Sequence, residues 1–235
     1  MRRSPKTFSC EIITCGLEHT ADYIGQKHLP FDEFCPTLSF DCVKGDEVLG
    51  RFSLSVPGVH NAANALSAIA LGEKLGLSME DIQKGLLHFG GTDRRFQYKG
   101  KVGGVTIIDD YAHHPTEIAA TLRTAKNYPH RTTWCVFQPH TYTRTKALMH
   151  EFAEALTLAD KVVLADIYAA RETNNLGISS QNLRDLVASL GTDAYYFSTF
   201  DEIEEFLLKN CIHDDLLITM GAGDVYKIGE NLLGM

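Results

Sequence analysis

From Thr92 onward, short apolar runs of β type alternate with helical patterns, and this rhythm restricts the fold more than any other feature of the chain. The runs are Val105–Ile108, Thr133–Phe137, Val162–Ala165, Ala194–Phe197 and Leu216–Thr219. Between them, helical periodicity appears near Thr116–Lys126, Thr145–Leu158, Ser180–Leu190 and Asp201–Lys209, with a last helix after Gly223. Repeated strand–helix–strand units predict an α/β fold: a mainly parallel sheet with helices on both faces.

The first part of the chain reads differently. Glu11 to Cys15 is a short strand ended by Gly16, and Leu17 to Pro36 shows no period and reads as irregular. Apolar alternation from Leu38 to Val56, broken at Lys44-Gly45-Asp46, predicts a β-hairpin with one wet face. An alanine-rich helix follows Pro57-Gly58, from about Ala62 to Leu75. Ser78-Met79-Glu80-Asp81 then has the form of a capping box and starts a second helix. Gly90-Gly91-Thr92 breaks the pattern, so we place a domain boundary there, giving segments 1–91 and 92–235.

Parallel strands bring their C-terminal ends to one edge, where α/β sheets bind ligands. The residues expected there are chemically crowded. The first run hands over through Asp109-Asp110-Tyr111-Ala112-His113-His114-Pro115-Thr116-Glu117, and the second through Gln138-Pro139-His140-Thr141-Tyr142-Thr143-Arg144. The third leads to Asp166, Tyr168, Arg171 and Glu172, and the last to Gly221-Ala222-Gly223-Asp224. A single polar loop would need only an Asp or Thr to cap its helix. Several such loops on one edge, bearing His, Tyr and Arg, predict a binding site. Arg144 has the chemistry to grip a carboxylate or phosphate, and also the position of a solvated surface arginine. Asn61 and Asn64 lie one helical turn apart. Their amides match the donor–acceptor edge of adenine; an Asn cap with a second Asn on the wet face fits the same spacing. Arg94-Arg95-Phe96 follows the boundary and reads either as a phosphate grip or as a charged linker anchored by Phe96.

The net charge of −8 disfavours nucleic acid and anionic membranes as partners. No apolar run approaches the ~20 residues of a membrane-spanning helix. Met1-Arg2-Arg3-Ser4-Pro5 is not followed by the apolar stretch of a signal peptide, and the six cysteines show no paired motif. Reduced thiols in a cytoplasmic protein are expected, with disulfides as the alternative. The chain contains no G-x-x-x-x-G-K-[ST] phosphate loop, no H-E-x-x-H zinc motif and no G-x-S-x-G elbow.

These blocks together resemble the Mur ligases. The residues carrying the likeness are Pro57-Gly58-Val59-His60-Asn61-Ala62-Ala63-Asn64-Ala65, Phe89-Gly90-Gly91-Thr92-Asp93-Arg94-Arg95-Phe96, the stretch Asp109 to Glu117, Phe137-Gln138-Pro139-His140…Arg144-Thr145 and Asp166-Ile167-Tyr168-Ala169-Ala170. The resemblance implies that 1–91 is the end of a central ATPase domain with a hairpin and two helices. It implies that 92–235 is a complete C-terminal Rossmann-like domain. The UDP-substrate domain, the phosphate loop and the main magnesium ligands would lie elsewhere, so this chain would be a fragment inactive alone. The implied chemistry is ATP-dependent amide formation through an acyl phosphate. The Phe-Gln-Pro-His…Arg block points to members that join UDP-N-acetylmuramate to L-alanine. The peptide-recycling ligase of the same family is the runner-up, and a non-catalytic nucleotide- or amino-acid-binding module is the alternative of another class. By resemblance, His60, Asn61 and Asn64 hold adenine, Arg95 reaches the ATP phosphates, and Asp110, with Asp109 the weaker candidate, takes the ribose. Tyr111, His113, His140 and Arg144 form the L-alanine pocket, with His113 and Arg144 the residues nearest the chemistry. Thr141 stands where many relatives have Arg, which leaves less positive charge there. The implied small molecules are ATP, Mg, L-alanine and UDP-N-acetylmuramate; no metal ligand is assigned in this chain, and its oligomeric state is left open.

Overall fold

The computed structural model describes residues 10–17, 20–29 and 38–235. Met1–Pro5 and Cys35, both used in the sequence reading, lie outside them. The chain divides into two compact units, Met1–Gly90 and Gly91–Met235.

Among the described residues of the first unit, a four-stranded sheet has the order β1 (Cys15–Gly16), β2 (Tyr23–Leu29), β3 (Leu38–Lys44) and β4 (Glu47–Leu54). The hairpin of β3 and β4 is the one expected from alternation, turning at Gly45 with φ 57. The strand expected over Glu11–Cys15 is only β1. The stretch expected to be irregular instead contains β2, which pairs parallel with β1 and antiparallel with β3. Helices α1 (Val59–Lys74) and α2 (Met79–His88) follow. Ala62, Ala65, Leu66 and Ile69 of α1 and Ile82 of α2 share one core with Tyr23, Phe40 and Phe52. Ser78 caps α2, its side chain accepting from the Asp81 amide.

The second unit is a six-stranded sheet in the order β5 (Gln97–Val102), β6 (Val105–Asp110), β10 (Leu216–Met220), β7 (Thr133–Phe137), β8 (Lys161–Leu164) and β9 (Asp193–Tyr196). Every pair from β6 to β9 is parallel; β5 is an antiparallel edge strand that the periodicity did not reveal. Side chains alternate across the sheet. Ile108, Phe137, Leu164 and Ile218 pack under α3 (Pro115–Ala125), α5 (Met149–Leu156) and α6 (Ser180–Ser189). Ile107, Val136, Val163 and Leu217 pack on the other face under α7 (Phe200–Asn210) and α8 (Tyr226–Leu233). The helix expected over Thr145–Leu158 is two, α4 (Tyr142–Ala147) and α5, separated by Leu148 at φ −119 and ψ 26. Cys10, Cys15, Cys42, Cys135 and Cys211 are free thiols.

The strand order creates the site. β6 and β7 lead into helices on one face, whereas β10, lying between them, leads into α8 on the other. Neighbouring strands whose connections part in this way leave a crevice beyond their carboxyl ends.

Candidate functional site

Three loops converge on that crevice. At the end of β6, Asp109 is 1% exposed, and its carboxylate accepts from Thr219 Oγ1 of β10 at 2.7 Å and from Arg94 Nε at 2.8 Å. Arg94 also donates to the Gly221 carbonyl at 2.7 Å, and its guanidinium lies between the rings of Tyr111 and Tyr226, 4.9 and 4.6 Å from their centroids. Asp110 is buried too. Its oxygens accept from the amides of Ala112 and Phe96, both at 2.8 Å. Burial pushes its carboxyl above the ordinary range, while those two amides, the Thr121 hydroxyl and the charge of Arg95 pull the other way. Both acids of the pair thus stitch the 94–97 turn to the sheet. Arg95 itself is exposed, its guanidinium 5.7 Å from the Tyr111 ring centroid.

Beyond them runs a line of rings. Tyr111 meets His113 edge-on at 5.5 Å, His113 meets His140 at 6.0 Å, and His140 stacks on Tyr168 at 5.6 Å with 21° between planes. Arg144 Nη1 lies 3.3 Å from His140 Nδ1. The four residues expected to form the amino-acid pocket are therefore linked neighbours on one rim.

Their hydrogen bonds fix the tautomers. His113 Nδ1 lies 3.0 Å from the Tyr111 carbonyl. A carbonyl only accepts, so Nδ1, which also lies 3.5 Å from Glu117 Oε2, carries a proton, and in the neutral ring Nε2 bears the lone pair. A guanidinium only donates, so His140 Nδ1 accepts from Arg144 and the neutral ring bears its proton on Nε2. The pair thus offers one acceptor nitrogen and one donor nitrogen. Burial, then the charge of Arg144 and, when it is protonated, that of His113, hold His140 below the ordinary imidazole range, with Glu172 opposing. The folded state binds this proton less readily than the unfolded chain. The stability contributed by neutral His140 is full above the ordinary histidine value and is lost as pH falls through the window down to the lowered one. Thermal melts from about pH 7 to about pH 5 are expected to show a smaller decline for His140→Gln than for the wild type; parallel declines would contradict this.

The backbone is tightly drawn here. Thr141 has φ 66 and caps α4 with its hydroxyl, leaving Arg144 inside the first turns of that helix. Gly221 has φ 144, and a Cβ there would meet the Gln138 carbonyl oxygen at 2.7 Å. At Gly223 a Cβ would fall 2.3 Å from Gln138 Oε1 and 2.9 Å from Tyr168 Cγ. Gln138 is buried, and its Oε1 has no hydrogen-bond partner.

In the first unit, His60, Asn61 and Asn64 stand in the opening turns of α1. Asn61 donates to the Pro57 carbonyl at 2.7 Å, and its own oxygen accepts from Asn64 Nδ2 at 3.3 Å. The cap of α1 is Gly58 at φ 97, not an asparagine. Among the described residues no group of three or more His, Cys, Asp or Glu is arranged to hold a metal ion, and no helix is long and apolar enough to cross a membrane.

Residues 94–223 match the family model described as Mur ligase, glutamate ligase domain, which is more than half of the chain. The chain belongs to the Mur ligase family. It is 56% identical over 223 residues to a UDP-N-acetylmuramate–L-alanine ligase of Agathobacter rectalis, covering 95% of this chain and 48% of that one. A ligase of the same name from Lachnospira eligens is 54% identical, with 95% and 49% covered. The crystal structure of UDP-N-acetylmuramate–alanine ligase from Thermotoga maritima superposes with a TM-score of 0.79 at 28% identity, covering 94% of this chain and 47% of that one. The chain thus spans about half the length of the curated relatives it matches. The match to the Mur ligase model runs from Arg94 to Gly223 and so takes in the loops after β6, β7 and β8.

Sequence reasoning read Arg94 only alongside Arg95, as a phosphate grip or linker charge, and not as the partner of Asp109; it put Tyr168 at the edge without a specific role and did not single out Thr219 or Tyr226. Two of these had a readable signal. Thr219 is the one polar residue in an otherwise apolar strand, and Tyr168 stands in a block that resembles the family.

Proposed function

We propose that this chain is the amino-acid-binding and part of the nucleotide-binding portion of a ligase that joins UDP-N-acetylmuramate to L-alanine, using ATP, in cytoplasmic peptidoglycan precursor synthesis. In this reading, residues 1–91 are the end of a central ATPase domain and 92–235 the C-terminal ligase domain. The observation that carries it is the joined line Tyr111–His113–His140–Arg144 at the crevice. The relatives' shared name favours L-alanine over a recycled peptide as the substrate.

The chemistry suits the residues. Arg144 is placed to pair with the α-carboxylate, and the His140 Nε2–H supplies a second donor. The lone pair on His113 Nε2 is an acceptor for the α-amino group, orienting it for attack. Asn61, Asn64 and the nearby His60 offer polar groups for adenine. Arg95 is the exposed cation for the ATP phosphates. Asp110 reaches ribose only through lone pairs its amide partners leave over, and Asp109 acts indirectly by fixing Arg94. As the family resemblance implies, magnesium would be held mainly by residues outside this chain.

Calorimetry with ATP, L-alanine and both tests the reading. Arg144→Ala is expected to weaken L-alanine binding roughly tenfold to a hundredfold, the cost of a charge-assisted hydrogen-bond pair. The isolated chain is expected to release no phosphate from ATP with UDP-N-acetylmuramate and L-alanine. L-alanine binding that is unaltered in Arg144→Ala would refute the pocket, and phosphate release by the chain alone would refute its dependence on a partner domain.

A further inference from the structure

The loop after β8 is fastened to the loop after β7 at several points. The Tyr168 amide donates to the Pro139 carbonyl at 2.8 Å, and the Thr141 amide donates to the Tyr168 carbonyl at 2.9 Å, so His140 and Tyr168 form an isolated parallel bridge. Glu172 accepts from the Thr143 amide at 2.9 Å and from the Thr143 hydroxyl. The Tyr168 ring lies flat against His140 on one side, and Gly223 approaches it too closely for any Cβ. Even so, Tyr168 is 37% exposed. Its outer edge is thus open at the rim while its face is spent on His140.

His140 has few other restraints. Its Nδ1 meets Arg144 at 3.3 Å, and its edge faces His113 across 6.0 Å. Without the stacked ring, the imidazole is free to turn about its side-chain bonds, and Arg144 loses the acceptor that aims its guanidinium. We propose that Tyr168 is a positioning residue for the amino-acid pocket: clamped between the β7 loop and Gly223, it holds His140, and through it Arg144, in the orientation that receives the substrate carboxylate. This rests on the ligase reading above.

The test uses the whole chain with labelled histidines, followed by magnetic resonance while L-alanine is added to millimolar concentration. Tyr168→Phe keeps the stacking face, and Tyr168→Leu removes it at similar bulk. The leucine variant is expected to bind L-alanine about tenfold more weakly, on the scale of an aromatic contact together with lost orientation. Its His140 ring signals should move most, with a smaller change at the adjoining His113. Phenylalanine is expected to restore both affinity and signals. If the leucine variant does not fold, Tyr168→Met, flexible enough to fill the space, carries the same comparison. Wild-type affinity in the leucine or methionine variant overturns the proposal while leaving the ligase reading intact. A phenylalanine variant as impaired as leucine also overturns it, since the hydroxyl would then be the active group. A wild-type chain that gives no response to L-alanine removes the ligase reading, and this proposal with it.

Discussion

Arg94→Ala is expected to destabilise the second unit by about 3–5 kcal/mol, the cost of stripping a buried carboxylate of its cation. Asp109 is 1% exposed and cannot turn to water, whereas Arg94 keeps some solvent access, which places the effect toward the lower end. Thr219 Oγ1 would remain as a donor to that charge, but a neutral hydroxyl does not replace a guanidinium. The same substitution removes the cation between Tyr111 and Tyr226 and the donor to Gly221, so the loops after β6 and β10 lose their common anchor. Chemical denaturation of Arg94→Ala, of Asp109→Ala and of the double variant measures this. The double variant is expected to lose clearly less than the sum of the singles, because each single leaves its partner stranded. Additive losses would show that the pair is not coupled.

Asp215→Ala should have a comparable cost at the opposite end of the sheet without touching the site. This carboxylate lies just before β10 and is fully buried. It accepts from Arg131 Nη2 at 2.8 Å, from the Trp134 indole at 3.0 Å and from the Ile212 amide at 3.0 Å. Arg131 is half exposed and can turn to water, but the indole and the amide would be left without an acceptor. Each such orphan costs about 1–3 kcal/mol, so a loss of about 2–6 kcal/mol is expected, with Asp215→Asn recovering part of it through its amide oxygen. Ligand responses measured below the melting temperature should be retained, since Asp215 and the rim stand at opposite ends of β10. A near-neutral Asp215→Ala would mean that Trp134 finds another acceptor.

The centre of the parallel sheet was legible because β6, β10, β7 and β8 are buried on both faces, and burial writes itself as short apolar runs; β9, only half-buried, was legible from its aromatic residues. The strands that escaped have no such constraint. β5 reads Gln-Tyr-Lys-Gly-Lys-Val, an edge strand with Tyr98 and Val102 largely in solvent, so nothing forces an apolar rhythm on it. β2 carries Gly25, Gln26 and Lys27 in its middle, and only Tyr23, Ile24 and Leu29 hint at a strand. The break at Leu148 was invisible because Thr145 to Leu158 keeps helical periodicity through it. At the site, reading the loops as ends of parallel strands put Tyr111, His113, His140 and Arg144 on one edge, and the family resemblance singled them out from the other residues there. What could not be read was which of two adjacent arginines turns inward. Arg94 has φ 58, a left-handed backbone that swings its side chain back over Asp109, and no local pattern announces that.

The position of β10 has a bearing on how this unit comes to exist. The strands that carry the two halves of the rim, β6 and β7, are not neighbours; each pairs with β10 between them, and β10 is the last strand in the chain. During synthesis, Tyr111 and Arg144 emerge early but have no common frame until residues 216–220 leave the ribosome and slot into the gap. The rim therefore assembles late, through strand pairings far apart in sequence, Leu216 with Thr106 and with Thr133, which slows folding and gives nascent chains a long interval with unpaired strand edges.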